Sequence, residues 1–196
     1  MKTLLGKIAF SLSLTTLAFA TVSAQSGRLI KEQSSVTISG TSSLHDWHEK
    51  AGDFTTAVVF TANDGPASAI EKVTFICKSA SVTSDNSIMT DKTQSAIQAK
   101  KYPEITFISD KPVSVPTHDG DFSATVTGQL NLKGVTKSLS IPVKGSYAGN
   151  TLSISGSHSI KLSDYSISPP TAMLGTLKTG DLVTVHFDLK FQISEN

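Results

Sequence analysis

The chain has 196 residues, with 17 Lys and Arg against 16 Asp and Glu and a formal net charge of +1. That balance gives no electrostatic reason to hold nucleic acid or an anionic membrane. The only cysteine, Cys77, excludes an internal disulfide, so the fold must rest on burial and sheet hydrogen bonds.

The first 24 residues read as an export signal. Lys2 and Lys7 form a basic start, Ile8 to Ala20 is apolar and hydroxyl-rich, and Val22-Ser23-Ala24 has the small residues of a cleavage site. Cleavage is expected between Ala24 and Gln25. The apolar stretch is short for a membrane span, and no cysteine follows the cut, so no stable membrane anchor is expected. With Lys2 and Lys7 removed, 15 basic residues face 16 acids, and residues 25–196 form one domain.

The domain opens with a half-buried or edge strand, in which Val36 and Ile38 alternate with Ser35, Thr37 and Ser39. A polar turn follows at Thr41 to His48, broken only by Leu44 and Trp47. Phe54 to Phe60 predicts a strand with Phe54, Val58 and Phe60 on one face. Asn63-Asp64-Gly65-Pro66 is a turn. Ile70 to Lys78 predicts a strand with Val73, Phe75 and Cys77 sharing a face, which makes Cys77 a small buried hydrophobe. Asp91 to Lys100 is the one predicted helix, short and covering, capped by Asp91 with Gln94 and ended by Pro103. Ile105 to Ser109 is a strand whose inner face is either Ile105 and Phe107 or Thr106 and Ile108. Pro112 to Gly120 is a loop.

The clearest supersecondary signal is Asp121 to Gly145. Phe122, Ala124, Val126, Leu130 and Leu132 share one parity, and Leu139, Ile141 and Val143 share another beyond the Lys133-Gly134 turn. This predicts an antiparallel hairpin with one apolar and one wet face. Leu152, Ile154, Ile160 and Leu162 mark a further strand, and Ser168-Pro169-Pro170 ends it. After a loop through Gly175 to Gly180, Leu182 to Ile193 alternates Val183, Val185, Phe187, Leu189 and Phe191 with polar residues. About eight strands with short connections mean an all-β sandwich or a closed barrel. The pattern alone leaves both open, together with whether the interior is filled.

Catalytic signatures are thin. No G-x-S-x-G elbow appears, and the glycines at 175 and 180 flank a loop rather than a phosphate cradle. His45, Asp46 and His48 form the sharpest polar cluster, but on a strand and turn they do not present convergent metal donors. They read as a turn cap, with Trp47 packing over the edge of the sheet. His118, His158 and His186 are scattered, and His186 lies on the polar parity of its strand.

Four stretches in order resemble the YceI-like proteins: Thr41 to Trp47 (TSSLHDW), Lys101 to Phe107 (KYPEITF), Gly128 to Lys137 (GQLNLKGVTK) and Leu162 to Phe187 (LSDYSISPPTAMLGTLKTGDLVTVHF). The resemblance spans essentially the whole mature chain. One departure is Ser166, where the family pattern has glycine. The resemblance implies an extended lipocalin-like antiparallel β-barrel of about eight strands with one short helix. It also implies a non-enzymatic periplasmic or secreted protein that sequesters or carries a polyisoprenoid or similar amphiphile, without cofactor or metal. A homodimer stays compatible with it. On this reading the tunnel lining is Val58, Phe60, Val73, Phe75, Phe107, Leu130, Leu139, Ile141 and Phe187. Tyr165 then becomes a candidate for a headgroup contact through its hydroxyl, and the His45 cluster a candidate for the pocket mouth. The rival expectations are an enzyme acting on an isoprenoid lipid and a packed, stress-related domain without a ligand.

Overall fold

A computed structural model describes residues 23–62, 67–115, 120–172 and 176–193. All but Ser23 and Ala24 of the expected leader therefore lies outside the described residues, as do the turn at 63–66 and residues 116–119 of the loop before Gly120. No helix among the described residues is long and apolar enough to cross a membrane.

The strands run β1 (Ser23–Leu29), β2 (Ser35–Ser42), β3 (Trp47–Ala51), β4 (Phe54–Ala62), β5 (Ala67–Lys78), β6 (Val82–Thr83), β7 (Glu104–Ser109), β8 (Val113–Ser114), β9 (Gly120–Leu132), β10 (Val135–Ala148), β11 (Thr151–Lys161), β12 (Thr171–Ala172) and β13 (Leu177–Ile193). One helix, α1 (Ser87–Ala96), lies between β6 and β7. Neighbours pair in the order β1-β4-β5-β7-β9-β10-β11-β13, and β13 pairs back to β1. The result is a closed eight-stranded antiparallel barrel, which leaves no long open edge.

The hairpin of β9 and β10 has the expected register, from Val135 opposite Leu132 to Tyr147 opposite Gly120. Lys133 and Gly134 both take positive φ, 54° and 76°, as a two-residue turn between twisted strands requires. The long β13 holds the closure. Its C-terminal part pairs with β1, with Leu29 opposite Phe191, and its earlier part pairs with β2, with Ser35 opposite Asp188. Between them a single 3-10 turn, Lys31–Gln33, bulges out of what is otherwise one long strand. β2 is thus no edge: it sits between β13 and β3.

Three local readings are corrected. The helix starts at Ser87 rather than Asp91, because Asn86 accepts a hydrogen bond from the Met89 N–H and takes the cap. It ends at Ala96 rather than Lys100, through Gln98 at φ 53°, with the Ala99 N–H donating to the Gln94 carbonyl. Leu162 opens a 3-10 turn, Leu162–Tyr165, instead of extending β11, and β13 begins at Leu177 rather than Leu182.

That 3-10 turn explains the departure at residue 166. Ser166 sits at φ 55°, in the left-handed region, so the position favours glycine but the turn forms without it. A non-glycine residue there costs about 1–2 kcal/mol. Lys133 Nζ donates to the Ser166 carbonyl at 2.7 Å, and the Ile167 N–H donates to the Leu162 carbonyl at 3.0 Å, which hold the strained turn in place.

Candidate functional site: an apolar hollow with one mouth

Alternation along each strand sends one set of side chains inward, and the inward set is almost wholly apolar. They do not meet at the centre. A hollow of about 490 Å³ lies inside the barrel, within the range of small-molecule sites. Its walls include Val58 on β4, Val73 and Phe75 on β5, Phe107 on β7, Leu130 on β9, Leu139 and Ile141 on β10 and Phe187 on β13. These eight are expected lining residues. On β7 the inner face is the one with Ile105 and Phe107, and Ile108 points out at 42% exposure.

The other two expected residues lie elsewhere. Phe60 is fully buried at the closed end, in one cluster with Tyr147, Leu152, Phe191 and Ile193, and is not part of the lining. Phe122 stacks on Tyr147 there, with ring centroids 5.7 Å apart. The Tyr147 hydroxyl is buried without a partner, and burial pushes its pKa up to about 12, so it stays a neutral phenol.

Tyr165 is also buried, and its hydroxyl has no partner, but it too is absent from the lining. The ladder between β10 and β11 stops at Val143 opposite Gly156, next to Pro142, which has no N–H to give. The turn carrying Tyr165 contacts both strands, and Tyr165 packs with Leu132, Ile160 and Ile167, against Leu130, Val135 and Leu139. It is a wedge in the wall rather than a group facing the hollow.

Several rings find room because glycine stands beside them. A Cβ on Gly128 would come within 2.6 Å of the Phe107 ring, and one on Gly156 within 2.6 Å of Phe187. These glycines let large aromatic side chains lie along the wall.

The opposite end of the hollow opens between the β2–β3 turn, α1 and the segment around β12. Leu44, His45, Ile88, Met89, Lys92, Pro170 and Lys178 line this rim. Leu44 and Ile88 are each 67% exposed, unusual for large apolar side chains. The helix buries none of its residues fully, so it covers the mouth without belonging to the core. Lys92 Nζ ties it to the Thr171 carbonyl at 2.8 Å, and Gln94 Nε2 to the Ala80 carbonyl at 2.8 Å.

The polar cluster at the β2–β3 turn is divided. His45 faces the rim, with Nδ1 2.7 Å from the Asp46 carbonyl oxygen, whereas Asp46 and His48 are exposed outside. No group of three potential metal ligands occurs among the described residues. Ser42 Oγ accepts from the Leu44 and His45 N–H groups, so the serine rather than Asp46 caps the turn. Trp47 packs across Gly40 and donates from Nε1 to the Thr41 carbonyl at 3.0 Å.

Three polar residues on the inner wall escape a reading based on apolar parity. Glu49 lies between Trp47 and Ala51 on β3, Thr56 between Phe54 and Val58 on β4, and His158 between Ile154 and Ile160 on β11, and all three line the hollow. Their position in an inward alternation was the available signal. Glu49 is 2% exposed and accepts a hydrogen bond from Thr93 Oγ1 at 2.5 Å. Burial pushes its carboxyl above the ordinary range, and the Thr93 hydroxyl offsets that only in part. Thr56 Oγ1 is buried with no partner. Cys77 is 2% exposed in the wall, and burial raises its thiol pKa, which disfavours the thiolate.

A profile described as the YceI-like domain matches residues 28–191. No curated protein matches the chain in sequence. Among solved structures, BcnA of Burkholderia cenocepacia aligns with a TM-score of 0.66 at 21% identity, over 83% of this chain and 98% of that one. A domain from Saccharophagus degradans, described as polyisoprenoid binding and implicated in plant cell wall breakdown, aligns with a TM-score of 0.65 at 14% identity, over 89% and 100%. The YceI protein of Campylobacter jejuni gives 0.58 at 18%, over 97% and 94%. At such identities the likeness is one of fold.

Proposed function

The chain belongs to the YceI-like domain family, and on that premise we propose that it binds one isoprenoid or similar apolar-tailed amphiphile and carries it, chemically unchanged, outside the cytoplasm. The observation that carries this reading is the apolar hollow itself, with the buried cluster of Phe60, Tyr147, Leu152 and Phe191 at one end and a rim of exposed side chains at the other. A tail can enter from the rim, and its headgroup stays near the mouth. Burying a methylene contributes roughly 0.8 kcal/mol, so each five-carbon unit offers about 3 kcal/mol before ordering costs. Affinity then grows with tail length and needs few polar contacts. Val58, Val73, Phe75, Phe107, Leu130, Leu139, Ile141 and Phe187 would contact the tail. The Saccharophagus degradans domain, described as polyisoprenoid binding, supports the ligand class. The leader-like residues 1–24 support export, to the periplasm or beyond.

Transfer of a polyprenol between vesicles tests carriage. The protein is expected to accelerate movement of the polyprenol from donor to acceptor vesicles, with the recovered lipid unaltered. A chemically changed product would favour an enzyme, and no acceleration would contradict a carrier.

A further inference from the structure

We propose that the Glu49 carboxyl and Thr93 hydroxyl form a headgroup site for an uncharged lipid bearing an O–H or N–H donor, such as an alcohol or a primary amide, and select against a phosphorylated one. This deepens the lipid-carrier reading and rests on it.

A carboxyl that is 2% exposed is expensive unless its hydrogen-bonding capacity is used. Glu49 has one protein donor, Thr93 Oγ1, on its Oε1 atom, and no other partner among the described residues. Glu49 lines the hollow on β3, between the lining residues Trp47 and Ala51. The Thr93 proton is committed to Glu49, so the pair offers acceptor oxygens to a ligand and, when the carboxyl is protonated, one O–H donor; an alcohol or primary amide both donates and accepts and so matches either form. Burial shifts the carboxyl toward its neutral form, which lessens the demand for a cationic partner.

The charges near the mouth are arranged against deep phosphate binding. Lys92, Lys178 and His45 line the rim but are exposed, and Lys92 Nζ is engaged by the Thr171 carbonyl at 2.8 Å. Asp46, Asp85 and Asp91 are exposed in the same loops and helix. A phosphate drawn down to Glu49 would lose its hydration beside a carboxyl and gain no buried cation. An alcohol loses one water and gains Glu49.

Trp47, the only tryptophan, lies on the same inward face two residues from Glu49 and lines the hollow, so its fluorescence reports occupancy. Wild type, Glu49→Leu and Thr93→Val are titrated with geranylgeraniol, its monophosphate and the headless hydrocarbon phytane. In the wild type the alcohol should bind at least about tenfold tighter than the phosphate, and both substitutions should weaken the alcohol about tenfold while phytane stays within about twofold. Leucine replaces a half-satisfied buried carboxyl, so Glu49→Leu should melt no lower than the wild type. Phosphate binding as tightly as the alcohol overturns the headgroup site, as does an alcohol affinity that Glu49→Leu leaves unchanged or a matching fall for phytane. If phytane binds and the alcohol gains nothing, only the headgroup site fails. If none of the probes binds the wild type, the lipid reading fails and takes the headgroup site with it.

Discussion

Phe75→Asp lowers the affinity for an isoprenoid by about three orders of magnitude while leaving the barrel folded. Phe75 faces the hollow from β5, level with Phe107 on β7 and with its ring centroid 5.7 Å from that of Phe54. It is only half-buried, because on its inner side it meets open space rather than protein. Water in the empty hollow can hydrate an aspartate there, so the fold survives. An incoming tail must strip that water. Burying the charge, or protonating it to avoid doing so, costs several kcal/mol, and about 4 kcal/mol is a thousandfold in affinity. Phe75→Leu is the control, with affinity close to wild type. Titration with a polyprenol, followed by Trp47 fluorescence and paired with thermal melting, separates lost binding from lost structure. Equal affinity in the aspartate variant would take β5 out of the ligand's path.

Phe191→Ala has the largest expected effect on stability, a loss of about 3–5 kcal/mol. Phe191 is 0% exposed, and it closes the floor of the hollow together with Phe60, Leu152 and Tyr147. It lies on β13 at the seam of the barrel, paired with Leu29 on one side and Leu152 on the other. A Cβ on Gly27 would come within 3.3 Å of the Phe191 Cβ and 2.8 Å of the Phe60 ring, so the backbones are already at closest approach and cannot collapse into the gap. The void therefore persists, and its cost with it. Against a domain stability of roughly 5–15 kcal/mol, the shift in the urea midpoint should be large. A change below about 1 kcal/mol would mean that the closed end is loosely packed.

These residues also show how much the sequence could tell. The β9–β10 hairpin was legible because an uninterrupted alternation ran to a Lys-Gly pair able to take positive φ. β13 was legible for the same reason, apart from its start, where Leu177 to Asp181 does not alternate. The inner face of β5 was only partly legible. Val59 pairs with Lys72 and Phe60 with Ile70, so a bulge at Glu71 changes the parity, and Ile70 joins Val73, Phe75 and Cys77 inside. No local signal marks that extra residue. The helix start was misplaced because Asn86 and Asp91 are both competent caps, and only the Met89 N–H chooses between them.

Apolar parity predicts a wholly apolar site. Eight expected lining residues face the hollow, yet Glu49, Thr56 and His158 stand among them, and apolar parity does not mark them. Tyr165 carried a polar tip next to a loop, which suggested a headgroup contact. The interruption of the β10–β11 ladder at Pro142 gives it a different place, as a wedge between strands, and that depends on contacts far apart in sequence. Open space has no sequence signature either. The same alternating residues would describe a filled barrel, and the glycines that let Phe107 and Phe187 lie along the wall help to decide between the two.

Native mass spectrometry of the protein purified from its own cells without detergent tests whether the hollow is occupied. A mass excess of one apolar-tailed lipid per chain is expected, extractable into organic solvent and missing from Phe75→Asp. A bare polypeptide mass, unchanged after incubation with a polyprenol, would contradict it.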